Sequence, residues 1–241
     1  MDSSVIKPDE LRAACVTAGF VRKSKAYFRA HGDGVLQIIK CEKVRNYPIN
    51  ELNVGLFSLY GELREEWFTS HGCIPRYPIT IFEGKRDVLY LKNVNGIHHR
   101  CVISSEHQLN ILKNRVIPFL NDIKSQAQLA KAICKLDEMM FSKILWNDSL
   151  KFAPYLHSGD NESAARVIQA IIDQHHSALE RNRINMSSES FQKDALHLQK
   201  EDCELKIKLD MAKSGSAEDI QDYLSQNYLQ NRNRAMFAFP K

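Results

Sequence analysis

The sequence lacks several features that would assign it to a known class at once. Its six cysteines are scattered and form no Cys-x-x-Cys pair, which excludes a dense disulfide scaffold and a zinc ribbon. No apolar run approaches the roughly 18 residues that a membrane span requires. The start of the chain carries acidic side chains and no apolar segment of a secretory signal. We therefore expect a cytoplasmic protein with reduced thiols and no membrane contact.

Motifs of catalysis and cofactor binding are missing too. The chain has no Gly-x-Ser-x-Gly elbow, no phosphate-binding loop, no dinucleotide Gly-x-Gly-x-x-Gly motif and no His-Glu-x-x-His motif. The Gly-x-Gly within residues 31–34 joins two predicted strands instead of opening a helix, so we interpret it as a turn. The sequence thus predicts no cofactor and no metal, and any catalytic residues stay unknown.

Two His-Cys pairs are the nearest approach to a metal site. His99 and Cys101 share one face of a predicted strand, and His71 and Cys73 repeat the same spacing. The two pairs would have to converge in space, which nothing in the sequence requires. Exposed histidines near the start of a strand are the simpler interpretation.

Two other pairs of titratable residues are equally weak indications of a functional site. His175 and His176 are neighbours on a predicted helix, so they face different ways and are not expected to chelate together. Glu62 and Glu66 share a helical face and could supply a carboxylate pair for acid–base chemistry. A solvated acidic turn explains the same residues without a function.

The composition that is present describes a globular protein of two parts. Hydrophobic residues make up 44% of the 241 residues and charged residues 26%, which excludes a disordered chain. Eight of the ten glycines precede residue 105, a distribution typical of strands and turns followed by long helices. We predict an α+β fold, with an antiparallel-sheet domain at 1–125 and a helical region at 126–241.

The first part is predicted to open with a helix from Pro8 to Gly19, followed by five or six strands. The strands are expected at 25–31, 35–43, 52–60, 77–82, 88–92 and 98–103. From residue 105 the apolar period becomes helical, beginning at a capping box of Ser105 and Gln108. Pro118 should kink that helix or end it, and the next helix should run from Gln126 to Trp146.

One cluster of charge stands out, and it is basic. The net charge of +4 is too small to indicate nucleic-acid binding by itself, but residues 22–45 contain seven cations and only two acids. If 25–31 and 35–43 form a hairpin, these cations share a ribbon that could meet an acidic protein or a phosphate backbone. Protection of an exposed strand edge is the simpler interpretation. This basic ribbon consists of Arg22, Lys23, Lys25, Arg29, Lys40, Lys43 and Arg45.

Three short segments carry a resemblance to a family. The motifs are GFVRK at 19–23, GVLQII at 34–39 and NVG at 53–55. Over roughly residues 8–120 they resemble an uncharacterised bacterial domain of unknown function, although the Gln that the family keeps after its second strand is replaced near Cys41. The resemblance implies an α+β fold and a bacterial origin, and it supplies no catalytic residue or cofactor.

Two classes of function follow from these observations. The favoured one is a non-catalytic cytoplasmic module that binds an acidic protein, and the resemblance suggests an immunity-type protein that neutralises a toxin as one form of it. Nucleic acid is the less favoured partner. The alternative is a hydrolase or nuclease whose histidines and carboxylates come from separate strands, with a deep pocket lined by residues such as His71, His99 or Glu66.

Overall fold

The structure is a computed structural model that describes residues 6–23, 26–44, 47, 49–63, 77–85, 89–94, 97–140, 146–181 and 189–233. Within these ranges, the side chains at 89–94, 97–101, 146–148 and 189–194 lie outside the description. The fold is α+β, as predicted: a first helix, an antiparallel sheet and then helices.

The first helix and the first strand are joined by a tight reversal. Helix α1 spans Pro8–Thr17 and begins with a proline, whose missing N–H would have no partner inside the helix. Gly19 has a φ of 82°, a left-handed conformation that stops the helix, and the Phe20 N–H then donates to the Cys15 carbonyl at 2.9 Å. This reversal brings strand β1, Val21–Lys23, back alongside α1.

The main sheet has five antiparallel strands in chain order, β1-β2-β3-β4-β5. After β1 come β2 at Ala26–His31, β3 at Val35–Lys43, β4 at Asn50–Ser58 and β5 at Tyr77–Pro78. The predicted hairpin of β2 and β3 is confirmed, with Gly34 at φ 68° in its turn. A Cβ on Gly34 would lie 2.6 Å from the Tyr60 ring, so glycine is needed there for both conformation and space.

The later strands differ from the prediction. The strand expected at 77–82 is only two residues long and then turns into a 3-10 helix, Ile79–Glu83. Pro78 pairs with Asn53 at the end of the sheet and has no N–H to donate to a longer ladder. Strands β6, Leu89–Val94, and β7, Ile97–Val102, form a separate two-stranded sheet instead of extending the first.

The helix predicted from residue 105 begins as expected but is capped differently. Ser104, not Ser105, accepts the N–H of His107 at the start of α2, Ser105–Ile111. The Gln108 side chain, predicted to belong to the cap, instead extends to β4, where its Oε1 accepts the Leu52 N–H at 3.1 Å. Leu112–Val116 forms a π-helical turn before α3, Ile117–Asn121, in which Pro118 lies in the first turn. Ile111, Leu112, Val116 and Ile117 all keep right-handed helical φ and ψ, so the chain stays helical as far as Pro118 and the irregularity there is the π-helical turn.

Five longer helices follow within the described residues. They are α4 at Gln126–Met139, α5 at Trp146–His157, α6 at Asn161–Arg181, α7 at Glu189–Ser214 and α8 at Ala217–Asn233. A capping box of Ser125 and Gln128 starts α4, which ends seven residues before the predicted Trp146. None of the described helices has the length and apolar character of a transmembrane segment.

The described residues bury two large hydrophobic clusters. The first surrounds the five-stranded sheet and includes α1, the helices from α2 to α4 and Leu150 of α5. It therefore extends beyond residue 125, the predicted boundary. The second lies among α5, α6, α7 and α8, with Phe152, Ile168 and Leu209 among its members.

Candidate partner-binding surface

The pairing of strands decides where the cations of the basic ribbon point. Directly paired residues share a face of the sheet, and neighbours along a strand alternate between faces. Arg22 pairs with Tyr27 and Arg29 with Gln37, which places both on one face together with Lys43. Lys23 and Lys40 both pair with Ala26 and therefore lie on the opposite face. Lys25 and Arg45 lie outside the described residues.

Arg29 uses its donors inside the molecule. Its Nε and Nη2 donate to Gln37 Oε1 at 2.9 and 2.7 Å, and its Nη1 donates to the Ala18 carbonyl and to Asn121 Oδ1 at 2.7 Å each. The guanidinium also lies 4.4 Å from the centre of the Phe20 ring. Burial lowers the pKa of Arg29. This side chain ties α1, the sheet and α3 together.

On the opposite face Lys40 is buried and Lys23 is half-buried. Lys40 is 9% exposed, and its Nζ lies 3.0 Å from Glu42 Oε1, which forms an ion pair along the same strand. Burial lowers the pKa of Lys23. Of the described ribbon residues, Arg22 and Lys43 are the exposed ones.

A smaller surface forms where α1 meets β1, and we call Arg12, Val16, Val21 and Arg22 the β1-edge surface. Val16 is 52% exposed and Val21 is 38% exposed, and both arginines are exposed as well. Burial raises the pKa of the Tyr27 hydroxyl, and the positive charges of Arg22 and Arg12 oppose that rise.

The surface follows from the packing of α1. Leu11 and Cys15 turn inward to the core, which leaves Arg12 and Val16, one turn apart, on the outer side. Phe20 is buried at the start of β1, and Val21 and Arg22 follow it, both exposed, on opposite faces of this edge strand. In the described part of the sheet β1 has one neighbour, β2, so its other edge can meet a strand from another protein.

The sequence contained signals for the faces on which the ribbon cations lie and for the position of Arg12 relative to Val16. Strand alternation alone separates Arg22 from Lys23, because the side-chain period is two residues. Helical spacing alone places Arg12 above Val16. The internal contacts of Arg29 could not be predicted, since Asn121 lies 92 positions away in the chain.

Most of the residues that suggested a metal site are not among the residues that the structure describes. His71, Cys73 and Glu66 are not among the described residues, and neither are the side chains of His99 and Cys101. Among the residues that are described, no three His, Cys, Asp or Glu side chains come together in a way that could hold a metal ion.

The arrangement of His175 and His176 differs from the expectation that the two side chains point in different directions. Both reach the same carboxylate on α7: His175 Nδ1 lies 2.7 Å from Asp202 Oδ1, and His176 Nε2 lies 3.2 Å from Asp202 Oδ2. Asp202 is buried between the helices, so its two oxygens hold two imidazoles of α6. The contact fastens α6 to α7.

The carboxylate pair that Glu62 and Glu66 could supply lies partly outside the described residues, because Glu66 is not among them. Residues 62 and 63 are not helical. Glu62 instead joins the helical region: its Oε2 lies 2.6 Å from Lys208 Nζ, and its Oε1 accepts the Tyr223 hydroxyl at 3.1 Å.

Comparison with known proteins adds no function to this geometry. The chain matches no protein-family model, and searches of curated proteins and of solved structures give no match either. The resemblance of residues 8–120 to a bacterial domain of unknown function stays a prediction.

Proposed function

We propose that this chain is a non-catalytic protein-binding module, and that an extended acidic segment of its partner docks on the β1-edge surface. The observation that carries the proposal is that Arg12 and Val16 of α1 and Val21 and Arg22 of the edge strand β1 are all exposed where the helix meets the sheet. A strand added at such an edge gains main-chain hydrogen bonds, and its side chains supply the specificity.

The contacts of the basic ribbon support a narrower cationic surface than the sequence indicated. Arg29 and Lys40 have partners within the chain, so they contribute little charge to a partner. Arg12 and Arg22 are both exposed, and their charges would attract carboxylates of an acidic segment. An immunity-type protein that neutralises a toxin remains one form of this proposal.

The test begins by identifying a partner through affinity capture and mass spectrometry, and continues with association rates. The double variant Arg12→Glu/Arg22→Glu should slow association, because electrostatic steering acts mainly on the on-rate. Raising the salt should slow the wild type in the same way, since the Debye length falls from ~10 Å at 0.1 M to ~3 Å at 1 M. The control Lys131→Glu/Lys200→Glu makes the same change of net charge at exposed positions of α4 and α7 and should leave the rate nearly unchanged.

Other outcomes contradict the proposal in distinct ways. If neither salt nor the double variant changes the affinity for the partner, Arg12 and Arg22 serve only to protect the edge of the sheet. Affinity that falls as a power of the salt concentration would indicate nucleic acid instead.

A hydrolase is the second candidate, and one contact favours it. Asp202 holds Nδ1 of His175, and His175 lines a cavity, an arrangement that suits an imidazole acting as a general base. Turnover of an ester panel by the wild type and its loss in His175→Ala, with no partner captured, would replace the binding proposal.

A further inference from the structure

Helix α7 has a buried face and an exposed one. Leu209 and Ala212 belong to the second hydrophobic cluster, and Asp202 is buried against α6. On the other side Leu196 is 66% exposed and Ile207 is 65% exposed, the highest values among the large apolar side chains that the structure describes. A surface that covered both side chains would remove them from water and gain free energy.

The two side chains share one stripe of the helix. Leu196 and Ile207 are 11 residues apart, which is three helical turns and roughly 16 Å along the axis. Cys203 lies between them, seven residues after Leu196 and four before Ile207, and it is exposed as well. Spacings of seven and four are those that two helices use when they pack along a seam. We call the exposed residues Leu196, Lys200, Cys203, Glu204 and Ile207 the α7 stripe.

The apolar part of the α7 stripe is complementary to itself when two copies run antiparallel. A twofold axis between residues 201 and 202 brings Leu196 of each copy level with Ile207 of the other. The same two side chains therefore meet twice, once on each side of the axis. Apolar surface of one copy then covers apolar surface of the other.

The charges of the stripe match in the same arrangement. Glu204 of one copy comes within one residue, or roughly 1.5 Å along the axis, of the level of Lys200 in the other copy. It comes within two residues of the level of His197, whose side chain is 70% exposed. An acid thus meets a lysine and an imidazole, and the symmetry repeats this contact on the other side of the axis.

Parallel helices would reverse this match. Each residue would come level with itself, so that Glu204 would face Glu204 and Lys200 would face Lys200. Like charges at such positions repel each other. The charge pattern therefore favours the antiparallel arrangement, and a second copy of the chain satisfies both the apolar and the charged positions.

We propose that two copies of this chain associate through the α7 stripe, as antiparallel helices related by a twofold axis. The contact uses one helix face of each copy, which is at the small end of protein interfaces, so the dimer should dissociate on dilution. The stripe and the β1-edge surface belong to different elements, so the dimer presents two copies of the β1-edge surface.

Sedimentation velocity over a series of concentrations tests the proposal. The wild type should change from monomer to dimer as its concentration rises. Ile207→Glu places a charge in both apolar contacts and should raise the dissociation constant about tenfold or more. The control Leu229→Glu makes the same change at an exposed leucine of α8 and should leave the dissociation constant unchanged.

Reversal of charge tests the register of the two helices. Lys200→Glu places an acid beside Glu204 of the other copy on both sides of the axis and should weaken the dimer about two- to tenfold. Lys200→Glu/Glu204→Lys restores opposite charges and should recover the loss. Thermal melts confirm that each variant folds.

Crosslinking tests which parts of the helices meet. The two Cys203 Cα atoms should lie roughly 10 Å apart, from a 4.5 Å offset along the axis and about 9 Å between helices. A short bis-maleimide should therefore join two wild-type chains, and Cys203→Ser should prevent this. In the Cys203→Ser background, Leu196→Cys chains mixed with Ile207→Cys chains should crosslink far better than either chain alone.

Three results would overturn the proposal: a monomer at every concentration, an Ile207→Glu variant that dimerises as tightly as the wild type, or Leu196→Cys chains that crosslink best to themselves, as parallel helices would. Arg12→Glu/Arg22→Glu should leave the dimer intact, so this proposal and the proposed function fail separately. Loss of the dimer in that variant would place the contact at the β1-edge surface and would also overturn the proposal.

Discussion

The sheet region and the helical region bury apolar surface in different ways. The cluster around the sheet contains large side chains with almost no exposure, including Tyr77, Phe57 and Leu36. Among the described residues the second cluster is smaller, and Ala153, Ala164, Ala165 and Ala212 supply four of its ten buried members. Small side chains remove less apolar area from water, so the described part of the helical core contributes less to the free energy of folding.

The helical region compensates with polar contacts to the end of β4. Asn231, the ion pair of Lys208 with Glu62, and the stack of Tyr60 on Tyr228 at 4.9 Å all join it to residues 59–62. Its helices also expose apolar residues, notably Leu196 and Ile207 on α7. The comparison indicates that the sheet region stabilises itself, whereas the helical region is stabilised by docking to it.

The largest expected effect comes from truncating each core in turn. Phe57→Ala removes a fully buried ring from the sheet cluster and should cost about 3–5 kcal/mol of unfolding free energy. Leu209→Ala, in the helical cluster, should cost about 2–3 kcal/mol, because its surroundings are less completely buried. Chemical denaturation followed by circular dichroism measures both losses. Equal losses, or a larger one for Leu209→Ala, would contradict the comparison.

A smaller effect is expected at the junction of the two regions. Asn231 is 1% exposed, and its Nδ2 donates to the carbonyls of Leu59 and Gly61 at 2.8 and 2.7 Å. Asn231→Ala leaves both carbonyls without this donor and should cost about 1–3 kcal/mol. Hydrogen exchange should accelerate in α8 and much less in the sheet. The control Gln230→Ala, at an exposed neighbouring position, should change neither measurement.

Local patterns predicted much of the fold. The hairpin of β2 and β3 followed from two apolar runs around glycines, and α1 followed from Pro8 and Gly19. The strand expected at 77–82 was wrong, because a run of apolar residues does not distinguish a strand from a buried 3-10 helix.

The candidate sites could be predicted less well than the fold, because they depend on contacts between residues that are far apart in the sequence. Arg29 is tied to Asn121, and Glu62 to Lys208 and Tyr223, across separations that no local pattern encodes. Sequence located the cations of the ribbon, but only the strand pairing separated the exposed ones from the enclosed ones.

The smallest expected effect concerns acid sensitivity in the sheet region. Glu83 Oε2 lies 2.7 Å from His107 Nε2, and Arg115 and Lys85 lie farther away at 3.8 Å. The hydrogen bond from His107, together with these positive charges, holds the pKa of Glu83 below its ordinary value. A carboxyl whose pKa is lowered by folding adds stability above its unfolded pKa, and this stability is lost as the pH falls through the folded pKa.

Glu83→Gln should therefore cost about 1 kcal/mol of unfolding free energy at pH 7, and this gap between variant and wild type should close below about pH 4. Urea titrations from pH 7 to pH 3 measure the gap, with Glu138→Gln, at an exposed position of α4, as the matched control expected to stay within about 0.5 kcal/mol. A gap that persists unchanged at pH 3 would show that Glu83 acts through packing and not through its charge.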